Sequence, residues 1–166
     1  MIMNPKKVAE QKLVHPCYDK QIQQNGIDLT VTSVSRIKGE GKVWRDGGKQ
    51  LPKYIELPNE GIWKLNKSDA YLLQIAETIT VPKDKVALVW MRSTFNRCGC
   101  LILGCVFDSG YKGKPTLTMY PHCDLFLERF ARVAQILFFE ADSDSLYDGQ
   151  YQNEGEGGIK NEFKKI

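Results

Sequence analysis

The sequence predicts a mainly β, single-domain fold, a barrel or jelly-roll-like sheet with a short N-terminal helix and a flexible C-terminal tail. Three observations carry this. From Asp28 onward, short runs rich in Val, Ile, Thr, Phe and Tyr are broken by Gly, Pro, Asn and Asp at the intervals typical of all-β chains. Helical spacing occurs only near the start, and after Glu140 the composition turns to Asp, Ser, Gly and Asn. A sheet of many short strands has to close or double over to hide its edges, which selects a barrel or a jelly roll over an open sheet.

Taken in order, Pro5 to Val14 reads as a helix, because Val8, Leu13 and Val14 can share one face and Pro5 suits a first turn. It is expected on the outside of the domain. Strands are predicted at Ile27–Val34, Tyr54–Glu56, Tyr71–Ile75, Val86–Met91, Leu101–Val106, Thr116–Tyr120, Leu125–Phe130 and Val133–Glu140, all runs of β-branched and aromatic residues. The charged, glycine-rich stretch Lys38–Lys53 reads as a long hairpin connection. The expected organisation is an N-terminal helical extension over 1–24, a β core over 25–140 and a tail over 141–166 with the composition of a flap. No internal repeat or domain boundary interrupts it.

At 166 residues the chain can bury a core of its own. Its formal charge of +3 and 26% charged residues are those of an average globular protein, which argues against a nucleic-acid-coating role. Lys6, Lys7, Lys160, Lys164 and Lys165 cluster at the ends and read as solvated termini. No apolar run approaches the ~18 residues of a membrane span, and the first residues lack a signal-peptide core, so a cytoplasmic protein is expected. Five cysteines form an odd count without an export signal. Cys98-Gly-Cys100 and His122-Cys123 do not match zinc-knuckle spacing, so buried free thiols are expected.

Five separated segments carry groups suited to a nucleoside triphosphate. Asn25-Gly-Ile-Asp28-Leu-Thr sets a carboxylate in a turn, which suits Mg²⁺, a cation that keeps several waters and takes one or two carboxylates plus phosphate oxygens. Met91-Arg92-Ser93-Thr94 follows an apolar strand with a guanidinium fork and two hydroxyls, donors matched to phosphate. Gly104-Cys-Val-Phe-Asp108-Ser-Gly-Tyr111-Lys-Gly113 reads as a hairpin, and Arg132-Val-Ala-Gln135-Ile as a strand. Gln150-Tyr151-Gln152 opens a glycine-rich tail able to approach phosphates closely.

Together these segments, over about Asn25 to Gly158, resemble the ordered motifs of the trimeric dUTPase and dCTP deaminase superfamily. The resemblance implies a dUTPase-like β-clip fold and a dUTP pyrophosphatase. Such an enzyme converts dUTP to dUMP and pyrophosphate with Mg²⁺, limiting uracil incorporation into DNA and supplying dUMP. It also implies site roles. Asp108 activates the attacking water, and Tyr111 packs on the deoxyribose so that a ribose hydroxyl is excluded. Main-chain groups of the hairpin around Val106 read the base. Arg92, Ser93, Thr94, Arg97 and Gln135 serve the triphosphate with Tyr151 and Gln152 of the tail, and Asp28 holds hydrated Mg²⁺ through water. Homotrimers with active sites shared between subunits are implied too, with no nucleic-acid or membrane partner.

The tail resembles the K-Y-Q type of the deaminase branch more than the usual dUTPase tail, and Arg97 also matches that branch. Yet the deaminase pattern requires Glu ten residues after the hairpin Asp, where this chain has Thr118. Threonine cannot shuttle protons at neutral pH, so hydrolysis is favoured over deamination. The zinc route, H-x-E with P-C-x-x-C, is also absent. A dCTP deaminase or bifunctional enzyme, and a non-catalytic nucleotide-binding barrel, are the alternatives.

Overall fold

A computed structural model describes residues 1–155. Helix α1 (Pro5–Glu10) is followed by β1 (Val14–His15), a 3₁₀ turn (Asp19–Gln21), the long β2 (Ile27–Lys38), and the hairpin strands β3 (Lys42–Val43) and β4 (Lys49–Gln50). Then come β5 (Lys53–Glu56), β6 (Ile62–Leu65), β7 (Tyr71–Ile75), β8 (Thr78–Thr80) and β9 (Lys85–Met91). Helix α2 (Ser93–Arg97) precedes β10 (Cys100–Leu103), β11 (Val106–Phe107), β12 (Lys112–Gly113), β13 (Thr116–Pro121), β14 (Leu125–Glu128) and β15 (Arg132–Glu140).

The main antiparallel sheet has eight strands in the order β10-β13-β7-β2-β15-β9-β11, with β5 also paired to β2. It curls until β10 lies against β9, which brings its two ends together. A three-stranded sheet β1-β8-β12 and the two-stranded β14-β6 complete the β structure around the core, while β3-β4 forms a separate hairpin. The core is built from one parity of each strand: Tyr71, Leu73 and Ile75 of β7, Leu117 and Met119 of β13, and Ile136 and Phe138 of β15 are fully enclosed. Strand β2 is buried on both faces at Ile27, Asp28 and Leu29, because β7 and β15 flank it and other layers cover it.

The expected mainly β architecture is present, with several corrections. The predicted helix Pro5–Val14 stops at Glu10. Lys12 takes φ +55°, the Leu13 N–H returns to the Val8 carbonyl at 3.0 Å, and Val14–His15 then pair with Ile79 and Thr78 as a strand. The helix does pack on the outside of the domain, with Pro5 and Val8 buried against it and Lys6, Lys7 and Glu10 exposed. The predicted strand Leu101–Val106 is two strands on different partners: β10 pairs with β13, whereas β11 pairs with β9. The predicted strand to Phe130 ends at Glu128, because Phe130 turns at φ +63° to donate its N–H to the Val31 carbonyl. Free thiols are found, but only Cys100 is buried; Cys98, Cys105 and Cys123 are exposed. Lys38–Lys53 does contain a hairpin. No helix among the described residues is long and apolar enough to cross a membrane. Of the tail expected over 141–166, residues 156–166 lie outside the described residues.

Gly104 marks the break between β10 and β11. A Cβ there would sit 2.0 Å from the Val89 carbonyl oxygen, so only glycine lets the chain cross β9 this closely. Gly104→Ala is expected to cost about 1–3 kcal/mol through overpacking, measured by urea denaturation.

Candidate functional site

The order β2-β15-β9 places three distant segments side by side. In register, Asp28 faces Gln135, and Gln135 faces Trp90, two residues before Arg92. Asp28 is wholly buried, and both carboxylate oxygens are taken. Its Oδ1 accepts from Gln135 Nε2 at 3.2 Å; its Oδ2 accepts from Arg92 Nε at 3.0 Å and an Arg132 guanidinium nitrogen at 3.2 Å. The same side chains are held from behind: Arg92 donates to the Arg132 carbonyl at 3.2 Å, and Arg132 to the Lys20 carbonyl. Burial is the largest influence on the Asp28 pKa and pushes it up, opposed by Gln135 and then the two arginines. Both guanidinium groups keep part of their surface in solvent, so donors remain for an anion.

The glycine before this motif has a steric reason. A Cβ on Gly26 would lie 2.5 Å from the Ile136 carbonyl oxygen and 2.8 Å from Gln135 Cγ. Without it, β2 comes close enough to β15 for Gln135 to reach Asp28.

A second buried acid supports the same strand. Glu77 is 2% exposed and accepts from the Thr30 N–H at 3.0 Å, the Thr30 hydroxyl at 2.6 Å and Gln21 Nε2 at 2.8 Å. Gln21 Nε2 also donates to the Asp28 carbonyl at 2.8 Å. Glu77 thus fixes the backbone on both sides of Leu29 without a cationic partner among the described residues. Its pKa is raised, chiefly by burial. Sequence reading named neither Glu77 nor Gln21, and quoted Arg132 only as part of a motif. The parity of Tyr71, Leu73 and Ile75 runs on through Glu77 to Ile79 and Val81, a signal that an acid there points inward.

The hairpin forms a separate group. Val106 and Phe107 pair with Leu88 and Ala87 of β9, and Asp108 follows, exposed. Tyr111 is buried: its ring lies 5.0 Å from Phe107 and 5.7 Å edge-on from Tyr147, and its hydroxyl donates to Glu154 Oε1 at 2.7 Å. Burial, then Glu154, pushes its pKa upward. The tail is stitched to this turn. The Gln152 amide donates to the Gly110 carbonyl at 3.0 Å and accepts from the Lys112 N–H at 2.8 Å. Tyr151 meets the β3-β4 hairpin, where Lys49 Nζ lies 3.2 Å from its hydroxyl and 4.7 Å from its ring centre.

The candidate residues therefore divide. Asp28, Arg92 and Gln135 meet around one carboxylate, joined by Arg132. Tyr111 and Gln152 meet at the hairpin, which carries Asp108 and the exposed Val106. Ser93 and Thr94 are exposed in the first turn of α2, and Arg97 folds back on the Ser93 carbonyl at 3.4 Å. The expected magnesium role of Asp28 does not fit this arrangement. A fully buried carboxylate whose oxygens serve two arginines and an amide has no face for a hydrated cation. Among the described residues, no group of three or more His, Cys, Asp or Glu is placed to hold a metal ion.

Residues 5–141 match the family model described as dCTP deaminase-like. The chain is 37% identical over 147 residues to a protein of Halobacterium salinarum named "Probable deoxyuridine 5'-triphosphate nucleotidohydrolase", covering 85% of this chain and 88% of that one. It is 34% identical over 138 residues to the deoxyuridine 5'-triphosphate nucleotidohydrolase of Methanocaldococcus jannaschii, covering 81% and 88%. Among solved structures, the 2'-deoxycytidine 5'-triphosphate deaminase of Agrobacterium tumefaciens superposes with a TM-score of 0.67 at 17% identity. That match covers 84% of this chain but only 48% of the deaminase, and at this identity it speaks for the fold alone.

Glu77 gives a pH-dependent prediction. Its folded pKa lies above the ordinary value of 4.5, so its stabilising contribution is full below that value and is lost as pH rises through the folded pKa. Wild type should lose stability relative to Glu77→Ala as pH rises from the ordinary carboxylate value through the raised folded pKa, although the variant is about 1–3 kcal/mol less stable at the acid end because Gln21 and Thr30 lose partners. Urea denaturation of both proteins at each pH measures the difference.

Proposed function

This chain belongs to the dCTP deaminase-like family, and we propose that it is a dUTP pyrophosphatase of the cytoplasm, hydrolysing dUTP to dUMP and pyrophosphate. Identity to relatives named as nucleotidohydrolases of this substrate supports the reading, and so does Thr118. That residue lies on β13 opposite Leu103 and Leu72, where the deaminase pattern has a glutamate. A hydroxyl there cannot activate water and protonate a leaving amine as a carboxylate does.

In the proposed reaction Asp108 takes a proton from water as the water oxygen attacks the α-phosphorus. The bond from that phosphorus to the bridging oxygen breaks, and pyrophosphate leaves. General-base assistance supplies on the order of 10²–10⁴ in rate. Arg92 and Arg132, aimed by Asp28, bind the phosphates with Ser93 and Thr94, and in-line positioning supplies much of the rest. Tyr111 excludes a ribose hydroxyl once the tail bearing Glu154 lifts from its ring. Mg²⁺, expected from the resemblance, would enter with the triphosphate and be held by phosphate oxygens and water.

The observation that carries the site's architecture is a separation. Phe107, next to Asp108, pairs with Ala87, whereas Arg92 lies five residues further along the chain, just past the end of β9. At ~3.3 Å per residue this is about 17 Å. So long a backbone span supports a site in which Asp108 and Arg92 come from different chains. We therefore assign the two groups of one active site to different subunits of a homotrimer. The outward Trp90, Leu101, Leu103, Val106 and Tyr120, all exposed on the barrel surface, supply apolar area for such contacts.

Two tests follow. With dUTP or dCTP and Mg²⁺, chromatography should show dUMP and pyrophosphate from dUTP and no ammonia from dCTP; ammonia release would make the chain a deaminase. Asp108→Asn and Arg92→Ala should each lose at least ~10² in turnover. Co-refolded mixtures of the two variants should regain activity, because some mixed sites combine intact Asp108 with intact Arg92. Mixtures that stay as inactive as either variant would place both residues in one subunit's site.

A further inference from the structure

We propose that Cys98 and Cys123 are a reversible disulfide site at the junction between α2 and the β10-β13 ladder. In that ladder Cys100 faces Pro121, and the pairing continues one step further through the His122 N–H, which donates to the Gly99 carbonyl at 2.9 Å. Just past the end of the ladder, Cys98 as the C-cap of α2 and Cys123 in the following turn lie on the two sides of this hydrogen bond. A disulfide requires Cα atoms roughly 4.4–6.8 Å apart, so the two cysteines must be near neighbours. The side chain already crosses the gap: Cys123 Sγ sits 2.8 Å from the Cys98 carbonyl oxygen. Both residues are exposed and both thiols are free, so a small oxidant can reach them.

The neighbouring thiol is a poor competitor. Cys100 is buried, and burial with its two thiol neighbours raises its pKa to about 11, which keeps it protonated at neutral pH. Cys105 is exposed but lies beyond the end of β10, on the segment leading into β11.

The oxidant is a low-molecular-weight disulfide such as glutathione disulfide. One protein thiolate attacks it, forming a mixed disulfide and releasing one small thiol. The second protein thiolate then displaces the other small thiol. Two protein S–H groups and one small S–S bond become one protein S–S bond and two small thiols, with two electrons passing to the oxidant. The new bond would tether the end of α2, because Cys98 caps that helix by donating its N–H to the Thr94 carbonyl at 3.0 Å. Closing the chain from 98 to 123 restricts the unfolded state, so Tm should rise by on the order of 5 °C.

The test is incubation of the folded full chain with glutathione disulfide, then alkylation, proteolysis and mass spectrometry, alongside Cys98→Ser, Cys100→Ser, Cys105→Ser and Cys123→Ser. The expected result is a linkage between Cys98 and Cys123, removed by dithiothreitol, absent in the Cys98→Ser and Cys123→Ser variants and retained in the other two. The Tm rise should appear only where the linkage forms. Linkage through Cys100 or Cys105, or glutathione adducts that never resolve to an internal disulfide, would overturn the proposal. Activity plays no part in this readout, so it stands or falls separately from the proposed reaction.

Discussion

The buried carboxylate of Asp28 is the constraint around which the rest of this structure is arranged. An isolated ionised acid in a protein interior is costly, and it is tolerated here because Gln135, Arg92 and Arg132 all donate to it. Those donors come from β15 and from the end of β9, so the strand order is what makes the cluster possible. Gly26 permits the close approach of β2 to β15, and Glu77 with Gln21 clamps the β2 backbone from the opposite side. The product is a pair of arginines with fixed stems and partly free heads. That is the preorganisation an anion site needs, since little side-chain entropy remains to be lost on binding.

The second constraint is the length of β9. It carries Arg92 just beyond one end and pairs with the hairpin strand near the other, so the chain separates the two groups proposed for one active site. In the proposed trimer, assembly is part of catalysis rather than an addition to it. The tail adds a further condition. By docking Gln152 on the hairpin backbone and Glu154 on the Tyr111 hydroxyl, it covers the ring proposed to meet the sugar. The β3-β4 hairpin, which sequence reading left without a role, contacts that tail through Lys49 and Tyr151.

Much of the fold was legible because strand parity and turn residues are local signals: β7, β9, β13 and β15 lie close to where alternation and β-branched runs set them. What was not legible depended on partners distant in sequence. Leu101 to Val106 reads as one apolar run, and only the approach of Gly104 to Val89 divides it between two neighbours. Val14 reads as helix because its burial against β8 is a tertiary event. For the site, the resemblance singled out Asp28, Arg92 and Gln135, which the fold brings together, but not what Asp28 touches, since a carboxylate in a turn looks solvent-facing until two arginines distant in sequence enclose it. Glu77 was missed although its parity pointed inward, because a lone acid between apolar runs reads as a turn.

The central claim is that Asp28 serves the triphosphate by aiming arginines rather than by holding the metal. The most direct measurement is calorimetric binding of a non-hydrolysable dUTP analogue and of dUMP to wild type and to Asp28→Asn, with and without Mg²⁺, after circular dichroism has confirmed that the variant folds. The account predicts that the variant binds the triphosphate at least ~10-fold more weakly both with and without Mg²⁺, with dUMP affinity little changed. A loss confined to the Mg²⁺ condition, or undiminished triphosphate affinity, would contradict it.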